Sequence, residues 1–292
     1  MTKTDDMDAS AAPLIEHLTE LRNRLIWAVA SYVVAILLCF TLAEPILSFM
    51  LQPIEQAMRT LGDPNPVMQY TAPQEYFFTL VRISMVMGLA LAFPIISYQL
   101  WRFVAPGLYR NEKSAFLPFL IASPVLFMLG AFFAHYVVTP IAMGFFLGFA
   151  DASSVVAAIL PGVAGAPVEP QTSGIDIVFQ GKVNETLDIA LKLIIAFGLC
   201  FQLPVLLTLM GKAGLISSKG LVATRKYAVV LILILAALMT PPDVMSQMIL
   251  FSAVYPLYEV SIILIRRIEK RREAELRAEG LWDEDDEDEA AK

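Results

Sequence analysis

Two carboxylates and a small set of cations stand where long apolar runs end, and this placement sets the chemistry open to the chain. Glu20 lies in His17–Arg24, HLTELRNR, just ahead of an apolar run. Glu112 lies in Tyr98–Lys113, YQLWRFVAPGLYRNEK, a short cationic connector between two such runs. A carboxylate accepts the planar fork of a guanidinium in bidentate fashion, and the ammonium of lysine cannot reproduce that geometry. Two acids on neighbouring elements are therefore suited to hold two arginines. The plainer alternatives are an i, i+4 helix pair between Glu20 and Arg24, worth ~0.3–0.5 kcal/mol, and a solvated loop charge at Glu112. Taken by themselves, the two residues favour the plainer readings.

A second set of polar groups lies inside or beside the apolar runs: Gln202, Thr240, Gln247 and Glu259. Polar side chains are rare at membrane depth unless they face a partner or a wet cavity. Hydrogen bonding between helices is the competing explanation. His135 reads as a packing residue. No HExxH, GxSxG, CxxC or phosphate-binding glycine loop occurs, and His17 and His135 are the only histidines. Cys39 and Cys200 both lie in apolar runs, where a thiol behaves as a small hydrophobe. The reading is a chain that is not an enzyme and holds no cofactor or metal.

The elements that must position these groups are membrane helices. Of 292 residues, 57% are hydrophobic and 17% charged, and the mean hydropathy is +0.65, too apolar for a soluble domain of this size. The net charge of -7 comes from the seven consecutive acids Asp283–Glu289, so the acidity is a tail and not a binding surface. Residues 1–24 form a cytoplasmic segment in which Leu14, Leu18, Leu21 and Leu25 recur at helical spacing, predicting an amphipathic helix near the membrane surface. They lack the basic start and small-residue cleavage site of a signal peptide, so the first span is retained. Residues 25–265 form the membrane domain, with spans at about 25–43, 80–101, 114–139, 188–211, 225–240 and 244–265. The 14 residues between Lys226 and Pro241 reach only ~21 Å as a helix, against a hydrocarbon core of ~30 Å. The sixth span is interrupted by Gln247, Pro256 and Glu259, so the last two read as a short hairpin.

Lys and Arg divide unequally between the two sides. The termini and the connections at 102–113 and 212–226 hold 17 of the 21, against Arg59 and Lys182 on the other side, with Arg82 and Lys192 at span edges. Both termini are then cytoplasmic, and 44–76 and 140–186 are the outward connections. The expected fold is all-α: a polytopic integral membrane protein with six transmembrane helices, short fifth and sixth helices, and a concave bundle. Residues 266–292 form a charged tail that starts as a mixed-charge helix and ends too acidic to pack.

Four stretches together resemble the twin-arginine translocase subunit TatC: HLTELRNR at 17–24, WRFVAPGLYRNE at 101–112, FGLCFQLPV at 197–205 and TPPDVMSQ at 240–247. The resemblance runs from Pro13 to Ile265. It implies a receptor in the bacterial inner membrane that binds the paired arginines of signal peptides on folded cargo. It also implies single-span TatA-like and TatB-like partners, a homo-oligomer within a larger complex, contact with lipid, no nucleic acid, and transport driven by the proton-motive force. The signal-binding carboxylates of the family fall on Glu20 and Glu112, with Arg22, Arg24 and Phe103 alongside and Gln99 and Pro94 nearby. The partner-contact and intramembrane polar region falls on Thr240, Asp243 and Gln247, and Pro53 matches a proline of the first outward loop. Many family members carry glutamate where this chain has Gln202, which cannot ionise; a neutral polar contact to a partner helix or water is expected there. The rival reading is a secondary transporter of ions or small solutes. Such transporters often contain repeats with paired broken helices, and spans 1–3 show no similarity to spans 4–6. A purely structural scaffold would not need the acids at the cytoplasmic face.

Overall fold

The computed structural model describes residues 3–60, 63–108, 117–149, 181–239 and 244–278. These are almost entirely helical: α1 Lys3–Thr41, α2 Ala43–Thr60, α3 Pro73–Leu108, α4 Leu117–Phe133, a π turn Ala134–Val138, α5 Thr139–Phe149, α6 Val183–Cys200, α7 Leu203–Lys212, α8 Ser218–Ala223, α9 Arg225–Met239 and α10 Val244–Ala278. Two-residue strands, β1 Met68–Gln69 and β2 Gly181–Lys182, pair in parallel and bring the segment before α3 against the start of α6.

Five stretches are long and apolar enough to cross a membrane: His17–Thr41, Pro73–Phe103, Pro118–Leu147, Val183–Lys212 and Ser246–Glu275. The fifth expected span, α9, has 15 residues, ~22 Å of helix, and falls short of that length. The sixth, expected to be short as well, is instead part of the 35-residue α10 and long enough to cross, because Pro256 is accommodated within the helix. Along α1 an apolar stripe including Ile26, Trp27, Val29, Val33, Leu37 and Leu38 is left exposed; such a surface is stable against lipid, not against water. Apolar exposure of this kind along α1, α3, α4 and α10 marks the chain as a polytopic membrane protein.

Prolines account for the breaks. Pro204 has no N–H to donate to Cys200 and its ring crowds that carbonyl. The fourth span therefore parts into α6 and α7, with Phe201–Gln202 as a turn between them. Ahead of Pro140 the helix widens by one residue per turn, and the carbonyl of Ala134 accepts both the N–H and the hydroxyl of Thr139. The helix then continues to Phe149 rather than ending near residue 139. Pro53, expected in an outward loop, is instead buried inside α2, whose inner face is Leu47, Met50, Pro53, Ile54, Ala57 and Met58. Similarly, the amphipathic stretch near the N-terminus runs unbroken into the first span as one helix, since no glycine or proline separates Leu14 from Thr41.

Close backbone approach holds the bundle together, as expected where lipid removes the hydrophobic incentive for helices to associate. A Cβ on Gly130 of α4 would lie 2.5 Å from the Phe197 carbonyl oxygen of α6, and one on Gly198 would meet the Phe127 ring at 2.8 Å. Phe127 stacks in turn on Phe93 of α3, centroids 3.9 Å apart. Gly88 of α3 lies against Ile36 of α1, and the Tyr32 hydroxyl donates to the Met85 carbonyl at 3.1 Å. Thus α1 rests on α3, α3 on α4, and α4 on α6.

Candidate functional site

The antiparallel seam of α1 and α3 ends in a polar pocket. Glu20, Asn23, Arg24 and Trp27 recur at spacings of three and four, so one face of α1 carries all four. Gln99 and Arg102 face them from α3, and the six enclose an open cavity of about 500 Å³. The Glu20 carboxylate is held from its own helix: Arg24 donates to Oε1 through Nε at 3.0 Å and through Nη2 as well. Both bonds fall on one oxygen, which leaves Oε2 without a donor among the described residues. Arg24 therefore orients the carboxylate without filling it.

One turn before Glu20, His17 stacks on Phe103, centroids 4.3 Å apart, and this contact pins α1 to the last turns of α3. The Arg102 guanidinium bonds the Tyr98 hydroxyl at 3.1 Å and lies 5.8 Å from its ring centroid, which turns this cation toward α3's own surface. Beneath the polar pocket, and sharing Trp27 with it, a second cavity of about 490 Å³ follows the same seam. Its lining is apolar, including Ala30, Val34, Leu38, Leu91 and Ile95.

The structure thus brings Glu20, Arg24, Gln99 and Phe103 together. It does not bring Arg22, which is exposed and shares its guanidinium with Asn23, nor Pro94, which lies exposed further along α3. Glu112, Thr240 and Asp243 fall outside the described residues. His17, Asn23, Trp27 and Arg102 complete the site and were not singled out as binding residues. The spacing 20, 23, 24, 27 was the signal that could have found two of them.

Two intramembrane amides have protein partners. Gln202, in the turn between α6 and α7, accepts from the Ser123 hydroxyl at 2.7 Å and donates to the Ser123 carbonyl at 2.9 Å. Gln247 donates to the Leu233 carbonyl at 3.0 Å and joins α9 to α10. At the other end of that hairpin Glu259 takes Arg225 at 2.7 Å and the Tyr255 hydroxyl at 3.0 Å. His135 is buried with its ring 4.4 Å from that of Phe49, well away from the seam.

A family model described as Sec-independent protein translocase protein (TatC) matches residues 16–252. The chain belongs to the TatC family. A TatC protein of Magnetococcus marinus is 43% identical over 272 residues, covering 93% of this chain and 90% of its own length. One from Aquifex aeolicus is 34% identical, covering 86% of this chain and 94% of its own length. A crystal structure described as that of the twin arginine translocase receptor TatC superposes with a TM-score of 0.69 at 33% identity, over 87% of this chain and 99% of the other. As a TatC protein the chain is a component of a protein translocase, a family of transport proteins and not of enzymes. The matched region contains every candidate residue from Glu20 to Gln247.

Proposed function

We propose that the seam of α1 and α3 is the receptor site for the paired arginines of a signal peptide on folded cargo, facing the cytoplasm of a bacterial inner membrane with both termini on that side. The observation that carries this reading is the half-engaged carboxylate of Glu20. Its free oxygen accepts an incoming guanidinium while Arg24 keeps the group in place, and charge assistance makes that bond strong. Gln99 supplies a neutral acceptor beside it. The described lining holds one carboxylate against Arg24 and Arg102, so a second arginine needs a second acid. Glu112 fills that role: it follows Leu108 by four positions, a reach of at most ~14 Å.

Signal peptides present a charged start followed by an apolar stretch. The polar pocket followed by the apolar groove along one seam repeats that order, with Trp27 at the junction. Asp243, Thr240 and Gln247, at the turn between α9 and α10, are the proposed contact region for TatA-like and TatB-like single-span subunits. A helix as short as α9 leaves room for a neighbouring span to close against it. In this reading copies of the chain assemble within the larger complex, and the proton-motive force drives transport.

The test is binding of a twin-arginine signal peptide to the purified chain and to Glu20→Gln. Loss of one charged hydrogen bond of about 1.5–3 kcal/mol weakens binding about tenfold to a hundredfold, while a twin-lysine peptide binds both forms equally poorly. Equal affinity of the two forms for the arginine peptide would overturn the assignment.

A further inference from the structure

The last turns of α10 carry a face that the receptor role leaves unused. At 3.6 residues per turn, Ile265, Ile268, Glu269 and Arg272 share one side of the helix, and Arg266, Arg267, Lys270 and Arg271 share the opposite one. The first side is fixed to the connection between α7 and α8. Ile265 is fully buried and packs where a Cβ on Gly211 would come within 2.7 Å of it. The Glu269 carboxylate accepts from the Ser218 N–H at 2.8 Å and from the Ser218 hydroxyl. Gly214, the one described residue with a positive φ, +74°, turns the chain beneath Arg272. The buried Ile265 and the bonded Glu269 fix this side of the helix against the α7/α8 connection.

Its other side is therefore presented in a fixed direction, and all four cations on it are exposed, Arg271 with its Nε bonded to Glu275 at 3.2 Å and its remaining N–H groups turned outward to solvent. Their depth follows from the residues before them. Val260 and Ile263 are apolar and 44% and 50% exposed, as lipid-facing groups are, and Arg266 comes three positions later. The cations thus begin within one turn of the last acyl-facing residue, at headgroup level.

We infer that Arg266, Arg267, Lys270 and Arg271 form a binding face for the phosphate groups of anionic phospholipids in the adjoining leaflet, held in register by the Glu269–Ser218 clasp. Clusters of basic residues directly beyond a membrane span attract anionic lipid surfaces. Here the clasp converts a charge cluster into an oriented one. The proposal rests on α10 crossing the membrane, not on the receptor reading, and is tested without a signal peptide.

The experiment reconstitutes the full chain into nanodiscs of phosphatidylcholine with a minor share of phosphatidylglycerol, extracts it gently, and weighs the retained lipids by mass spectrometry. Wild type retains phosphatidylglycerol enriched at least about fivefold over the bulk ratio, the factor that a single surface cation contributes at an anionic leaflet. The variant R266Q/R267Q/K270Q/R271Q returns to the bulk ratio, and R266Q/R267Q alone falls between. Glu269→Ala removes a negative charge yet lowers the enrichment, because the face is no longer held. Unchanged enrichment in the fourfold variant, or higher enrichment in Glu269→Ala, would overturn the proposal. So would enrichment that emerges only after removal of residues 279–292, since the acidic tail would then be the occupant.

Discussion

Replacing Gln202 with leucine separates the structural from the transport role of the fourth span's polar residue. In the native bundle the amide makes two reciprocal bonds with Ser123 of α4, at 2.7 and 2.9 Å, across the α6/α7 turn that Pro204 imposes. Interhelical bonds in membranes average ~0.6 kcal/mol and reach ~1.7, so losing both costs about 1–2 kcal/mol. The low end is favoured because the Ser123 hydroxyl can turn back onto a carbonyl of its own helix. Reversible unfolding in mixed micelles measures this, and a double-mutant cycle with Ser123→Ala isolates the hydroxyl bond alone, since alanine keeps the backbone carbonyl, with an expected coupling of about 0.6 kcal/mol. Additive single effects would refute the assignment of the pair. In export assays Gln202→Glu keeps transport, because a carboxyl still accepts from Ser123, and Gln202→Leu loses it. Full transport by the leucine variant would confine Gln202 to a structural role.

Gly130→Ala places a methyl 2.5 Å from a backbone oxygen that cannot yield; overpacking of this kind costs about 1–3 kcal/mol, and a drop in thermal midpoint in detergent should report it. Gly198→Ala, which meets the edge of the Phe127 ring instead, costs less, and the order of the two midpoints is the check. Glu259→Ala removes the partner of Arg225, whose Nε is already buried without one, and should raise protease cleavage between α8 and α9. Asp188→Asn loosens Arg82 and Lys192, both bonded to that carboxylate, but the group is partly exposed and the loss stays under about 1 kcal/mol; a larger shift in the midpoint would contradict this.

Helices were legible wherever apolar length alone decides, as in the runs containing Val33 and Ile195. The 44–76 segment was not, because its prolines pointed to a loop. Pro45 sits in the first turn of α2, where its missing N–H costs nothing, and Pro53 is tolerated because its neighbours Leu47, Met50, Ile54 and Met58 bury a full helical face. That spacing was present in the sequence and outvoted by composition. The continuation through Pro140 depends on a hydroxyl, Thr139, doubling a backbone bond, which no periodicity reveals. At the site, types and spacing identified Glu20 and Arg24 as a pair. That both donors fall on one oxygen is a matter of rotamers and lies beyond any sequence pattern. Trp27 read as one more apolar residue of the first span until the α1/α3 seam put it at the junction of two cavities.

The most direct measurement is photo-crosslinking from a benzophenone placed at Phe103, beside the Glu20 pocket, to a labelled signal peptide in native membranes containing the full translocase. Crosslinks with a twin-arginine peptide that disappear with its twin-lysine counterpart, and with Glu20→Gln, are the predicted result. Crosslinks of equal strength to both peptides, or none from this position while export continues, would contradict an arginine-reading site at the α1/α3 seam.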